Sequence, residues 1–208
     1  HGETGKFFAY NVAEAKKLME AAGFGGGIET DIAWIATGQY GTTFPKQAEV
    51  FKGMLEESGL FKLKQVNPDY QTDYVPNYYF GKGNFKGIAV GAITTYPEVD
   101  QFLVSYYHST GARQKVAFNG ESMDPELDTL IMNQRKELDA NKRKTIIQDI
   151  QKRMADKMHV MPWPGQSPGF SLFWPWIGNA GVFRAWDTES SRDTVSTTVW
   201  FDKSKYTG

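Results

Sequence analysis

Cysteine is missing from all 208 residues, which removes disulfides, cysteine-ligated zinc, iron–sulfur clusters and thiol nucleophiles together. No compartment follows from that, because exported proteins also manage without disulfides. An excess of either charge is missing too: 23 Lys and Arg stand against 24 Asp and Glu, a formal net charge of −1. Nucleic-acid and anionic-membrane surfaces need a basic surplus. Local patches stay open, but no run of Lys and Arg stands out to build one, so nucleic acid is not an expected partner. Stretches near the ~20 apolar residues of a membrane-spanning helix are absent. The N-terminal HGETGKFF lacks the apolar centre of a signal peptide. The expectation is a cytoplasmic chain or an internal piece of a longer one.

Histidine is scarce. His1, His108 and His159 stand far from one another, and none has a second ligand at helix-face spacing, so no metal site is expected. His108 and His159 fall near helix ends, where imidazoles commonly meet free carbonyls. No GxSxG, HExxH, Walker or GxGxxG motif opens a helix. GFGGGI (Gly23 to Ile28) is glycine-rich but follows a helix and precedes a strand, the reverse of a phosphate-cradling loop, and reads as a connector. The carboxylate pairs Asp124/Asp128 and Glu56/Glu57 read as solvated helix charge rather than an acid/base pair. No catalytic residue, metal or cofactor is expected, and the chain reads as a non-enzyme. The main alternative is a stand-alone α/β hydrolase or transferase.

What is present is a substantial core: hydrophobic residues make up 40% and aromatics 14%. Asn11 and Glu14 form a capping pattern, followed by Val12, Ala15, Leu18, Met19 and Ala22 at helical spacing and a glycine stop at Gly23. A second helix begins near Thr43 with Pro45 in its first turn, sets Phe44, Ala48, Phe51 and Leu55 on one side, and ends at Gly59. Phe61 to Val66 alternates as a half-buried strand. Ile28 to Ile35 is a second strand, and Gly87 to Gly91 is short and apolar, as a central strand would be. Helices are predicted over Glu98 to Tyr107, Pro125 to Leu138 and Lys142 to His159. The first buries Val99, Phe102, Leu103 and Tyr106, the second has Asp124 as N-cap, and the third opens at Asn141. Strands alternating with helices predict an α/β domain of crossover units. From Val160 to Trp186 the chain is irregular and rich in proline, glycine and tryptophan. A polar stretch follows, with a short β-like run from Val195 to Phe201.

One loop carries a functional signal. Gly91 to Tyr96 (GAITTY) follows a strand and precedes a helix, and ligands of open α/β sheets bind beyond the carboxyl ends of strands. Thr94, Thr95 and Tyr96 offer hydroxyls there. The competing reading makes Thr95 a helix N-cap and nothing more.

Four segments together resemble the family 5 extracellular solute-binding proteins, which include dipeptide, oligopeptide and nickel receptors of ABC importers. They are NVAEAKKLMEAAGF (Asn11 to Phe24), PKQAEVFKGMLEESGLFKLKQV (Pro45 to Val66), GNFKGIAVGAITTYPEVDQFL (Gly83 to Leu103) and DPELDTLIMNQRKELDANKRKTIIQDIQKRMADKMHVMP (Asp124 to Pro162). They stand in the family's order over roughly residues 8 to 165. The resemblance implies the C-terminal lobe of a periplasmic-binding-protein-like fold, type II, with a mixed sheet flanked by helices. It assigns residues 1–186 to the ligand-binding lobe and 187–208 to a tail returning toward an N-terminal lobe of the same protein. It further implies export to the periplasm or to the cell surface as a lipoprotein, capture of a small solute between the lobes, and delivery to permease subunits. The residues it puts at the cleft are Tyr40, Ile93, Thr94, Thr95, Tyr96, Phe118 and Asn119. The family commonly has Trp at the position of Ile93 and Asp near Thr95; this sequence has neither. Peptide, modified-peptide and sugar-like solutes therefore all stay open.

Overall fold

Ile28–Ala33 (β1) pairs in parallel with a strand on each side, and that arrangement organises the first part of the chain. The computed structural model describes residues 5, 8–93, 96, 98–118, 121–161, 174–179 and 199–206. It divides into two units, residues 1–93 with 103–160 and residues 94–102 with 161–208.

In the first unit the helix Val12–Ala21 (α1) is capped as its sequence predicts, the Glu14 amide donating to Asn11 Oδ1 at 3.0 Å. Gly23 stops it at φ +85°. No α1 residue is fully buried, and Leu18, read as part of an apolar face, is exposed. The glycine connector leads into β1 as expected. Helix Phe44–Glu57 (α2) then crosses to Phe61–Val66 (β2), which pairs with β1 from Ile28↔Phe61 to Ala33↔Val66. The chain returns past β1 to Ile88–Ala89 (β3), which pairs as Ile32↔Ile88 and Ala33↔Ala89. Among the described strands the order is β2-β1-β3. The centre is therefore β1, and the short apolar β3 lies at an edge rather than the middle. Ile32, Ala33, Trp34 and Ile35 are 0–1% exposed, and burying each large apolar side chain contributes roughly 1.5–3 kcal/mol. Gly87 enters β3 at φ +80° with its α-carbon against the Asp31 carbonyl, where a Cβ would collide.

Helix Val99–Tyr107 (α3) buries Leu103, Tyr106 and Tyr107, whereas Val99, expected inside, is 44% exposed. A hairpin follows, Ala117–Phe118 (β4) against Glu121–Ser122 (β5). Helices Pro125–Lys136 (α4) and Ala140–Lys157 (α5) pack on each other. Asp139, not Asn141, caps α5, its Oδ1 accepting from the Asn141 and Lys142 amides.

Asp124 does more than cap α4. It is 2% exposed and accepts from Leu127 N at 3.1 Å, from Arg153 Nε at 2.8 and 2.9 Å, and from His159 Nε2 at 2.9 Å. The solvated-charge reading of Asp124 is thus corrected, and so is that of His159, which meets a carboxylate rather than a helix-end carbonyl. His108 Nδ1 lies 2.9 Å from Thr110 Oγ1, again not on a carbonyl. His1 lies outside the described residues. Asp128, the other member of the pair, accepts from the Ser109 amide at 2.8 Å.

The second unit contains Ile177–Gly178 (β6) paired antiparallel with Trp200–Phe201 (β7). Trp174 and Trp176 stack at 4.8 Å, and Tyr206 stands edge-on to Trp176 at 5.2 Å. The β-like run is thus confirmed at its end; residues 195–198 lie outside the described set. Among the described residues no helix is long and apolar enough to cross a membrane.

Burial would raise the Asp124 carboxyl, but its bonds to Arg153, His159 and the Leu127 amide outweigh that and hold it down at about 2. A depressed folded value stabilises the fold above the unfolded value of 3.8, and the gain is lost as pH falls through about 2. Asp124→Asn should therefore lower unfolding free energy by about 3 kcal/mol at neutral pH, the cost of stranding a buried partner. In urea titrations its deficit against the unsubstituted protein should narrow below about pH 4.

Candidate functional site

Both flanking strands run parallel to β1, so the carboxyl ends of β1, β2 and β3 share one sheet edge. From β1 the chain passes to β2 on one side and then returns to β3 on the other. The crevice between the ends of β1 and β3 is thus a topological switch point, the place where open α/β sheets bind ligands. Beyond β1 lie buried Trp34 and Ile35 and then a short 3-10 turn, Gly38–Tyr40. Beyond β3, the Val90 amide donates to the Ala33 carbonyl at 2.8 Å, and the chain continues through Gly91 and Ala92 to Ile93, which is 37% exposed.

A tyrosine-rich segment packs beside this point, its central Tyr74 only 4% exposed. Tyr70–Tyr79 is a π-helical coil containing Pro76. Proline removes a backbone donor, and the wider coil sets every fourth residue on one side. Tyr70, Tyr74 and Tyr78 accordingly stack, with ring centroids 6.3 and 5.5 Å apart. Tyr40 stands edge-on to Tyr74 at 6.0 Å and to Phe44 at 5.1 Å. The Tyr74 hydroxyl lies against Gly91, where any Cβ would overlap it. Tyr74 thus ties the loop after β1 to the loop after β3.

Both ends of this coil are pinned. At the start, Asp69 Oδ1 accepts from the Gln71 and Thr72 amides at 3.1 and 2.9 Å. At the end, the Lys115 ammonium donates to the carbonyls of Tyr78 and Tyr79, the latter at 3.1 Å. Neighbouring Gln114, 1% exposed, donates to the Lys82 carbonyl at 2.9 Å and accepts from the Val116 and Ala117 amides. The Arg113 guanidinium lies 4.9 Å over the Tyr79 ring.

Burial raises Tyr40 far above the usual tyrosine range, with the Tyr74 neighbourhood adding to it, and burial raises Tyr74 as well. Both stay neutral phenols near neutral pH. They can stack and hydrogen-bond, but they are not poised as phenolate bases.

Of the residues the sequence reading put at the cleft, Tyr40 and Ile93 flank this crevice. Phe118, 53% exposed, stands on the β4–β5 hairpin. Tyr96 is half-buried in the second unit. Thr94, Thr95 and Asn119 lie outside the described residues. Among the described residues no three His, Asp or Glu side chains converge as metal ligands.

No family model matches the sequence, and no curated protein matches it. Solved structures do. The chain is similar to the binding protein AgaA of A. tumefaciens R10 in complex with agropinic acid, at 21% identity and TM-score 0.56, covering 72% of this chain and 29% of that one. It is similar to the periplasmic binding protein DppA of Helicobacter pylori, in complex with the peptide STSA, at 19% and 0.56, over 72% of this chain and 28% of that one. The substrate-binding protein CtaP of Listeria monocytogenes matches at 20% and 0.50, over 72% and 28%. The chain therefore spans less than a third of the length of these neighbours, and its fold is the α/β fold of a periplasmic-binding-protein lobe.

Desolvation lowers the Lys115 ammonium from 10.5 to about 8. Between those values the unfolded chain binds the extra proton, so this residue makes stability rise with pH across that window. Lys115→Met should flatten the rise: the gap between variant and parent, from urea unfolding at pH 8 and pH 10, should shift in the parent's favour at pH 10. An unchanged gap would show that the ammonium is not desolvated.

Proposed function

We propose that this chain is the C-terminal ligand-binding lobe of a family 5 extracellular solute-binding protein that serves an ABC importer. The observation that carries this reading is the tyrosine cluster beside the β1/β3 switch point, on a fold shared with binding proteins. The half-buried, uncharged rings of Tyr40, Tyr70 and Tyr78 around it suit a solute with flat or apolar faces and dispersed hydrogen-bonding groups. The two neighbours in complex hold an opine-type acid and a peptide. In this reading Tyr40 and Ile93 border the solute, with Thr94, Thr95, Tyr96, Phe118 and Asn119 completing this lobe's side. A second lobe, from sequence outside these 208 residues, closes over it by hinge motion. The full-length receptor acts outside the cytoplasm and hands its solute to permease subunits.

One wall of a cleft forfeits contacts while the cost of association stays nearly whole. The isolated chain should therefore bind Ser-Thr-Ser-Ala or agropinic acid only near the millimolar range (roughly 4 kcal/mol), as read by isothermal titration calorimetry. Tyr40→Ala should abolish even that, and mass spectrometry should recover the solute unchanged. Micromolar binding by the isolated chain would overturn the half-site reading, and steady turnover of either solute would favour the hydrolase alternative.

A further inference from the structure

The turn between α4 and α5 carries a feature that solute binding does not use. An open groove of about 530 Å³ lies there, lined among others by Leu138, Ala140, Ile147, Glu137, Arg143 and Lys144. Leu138 is 97% exposed, the most exposed of the large apolar side chains among the described residues. The turn also gathers charge from two helices. Residues 135–144 hold five cations (Arg135, Lys136, Lys142, Arg143 and Lys144) and two carboxylates, a net of +3 in a chain whose net is −1. In sequence the cations are split, residues 135–136 ending α4 and residues 142–144 opening α5, so only the turn brings them together. Both carboxylates are engaged in holding that turn. Glu137 Oε1 accepts from the Asp139 amide at 2.8 Å, and Asp139 caps α5. Lys142 and Lys144 are exposed near the start of α5, where the helix dipole disfavours cations, whereas Arg143 Nε donates to buried Gln134 Oε1 at 3.1 Å and ties α5 to α4.

We propose that this groove docks an acidic, amphipathic segment of a partner protein, an apolar side chain seated on Leu138, Ala140 and Ile147 and flanking carboxylates meeting Lys142 and Lys144. The occupant follows from complementarity: apolar lining side chains beside a net-positive turn fit an apolar ridge between acids. A second copy of this chain fits poorly, since a two-fold contact would set +3 against +3. A bilayer fits poorly as well, because the surface is concave and no aromatic side chain lines it. The inference is independent of the solute-binding reading.

The test uses the intact 208-residue chain and a fluorescent synthetic helix of about 15 residues, with leucines along one face and glutamates on its flanks. A second peptide with lysine for glutamate serves as control. By fluorescence anisotropy the glutamate peptide should bind, weaken several-fold as salt rises, and weaken about tenfold with Leu138→Asp or with Lys142→Glu and Lys144→Glu together. The lysine peptide should not bind. These positions are exposed, and circular dichroism confirms that the variants stay folded; Lys144→Gln gives a milder check that should fall between. Equal binding of both peptides, indifference to the substitutions, binding to phosphatidylglycerol vesicles without binding to the glutamate peptide, or self-association through this face by sedimentation would each overturn the proposal.

Discussion

Parallel pairing on both sides of β1 is the constraint from which the rest of the first unit follows. Parallel neighbours cannot be joined by tight turns, so the chain must cross over, first through α2 and then through the tyrosine coil and its loop. Those crossovers bring the carboxyl ends of three strands to one edge. Ile32 and Ala33 within β1, and Trp34 and Ile35 just beyond it, are 0–1% exposed, which makes β1 costly to shift. A rigid strand with irregular loops at its exit is the usual way a fold holds a binding surface still while leaving its chemistry free to vary.

On that frame Tyr74 acts as a wedge. Its ring stacks on Tyr70 and Tyr78 and meets Tyr40 edge-on, and its hydroxyl fills the space that Gly91 leaves by having no side chain. Asp69 and Lys115 fix the two ends of the coil that carries it. Lys115 belongs to the strap before β4, and Gln114 beside it joins that strap to the Lys82 carbonyl. The crevice is thus shaped by groups that do not themselves face it.

How much of this was legible in the sequence depends on the range of the interaction concerned. Local chemistry read correctly: Asn11 as a cap, Gly23 as a stop, Asp124–Pro125 as a helix start, and the alternation of Phe61 to Val66. Sheet order did not, because an apolar run such as Ile88–Ala89 looks the same at the centre and at an edge. The roles of Asp124 and His159 were hidden because Arg153 and His159 lie 29 and 35 residues beyond Asp124. The tyrosine coil was hidden for another reason: Pro76 reads as a helix breaker, although tyrosine every fourth residue from 70 to 78 was the available signal. The Asn119–Gly120 dipeptide, a strong hairpin signal, likewise stood before β5 unread.

The central claim is that solute meets this chain at the β1/β3 edge and contacts Tyr40 there. Fluorine NMR of the chain labelled with 3-fluorotyrosine tests it most directly, with resonances assigned by single Tyr→Phe substitutions. Titration with Ser-Thr-Ser-Ala and with agropinic acid should move the Tyr40 resonance, with a smaller response at Tyr74 behind it, and leave Tyr206 in place. Shifts confined to Tyr206 or to Tyr106 and Tyr107, with Tyr40 and Tyr74 unmoved, would contradict it.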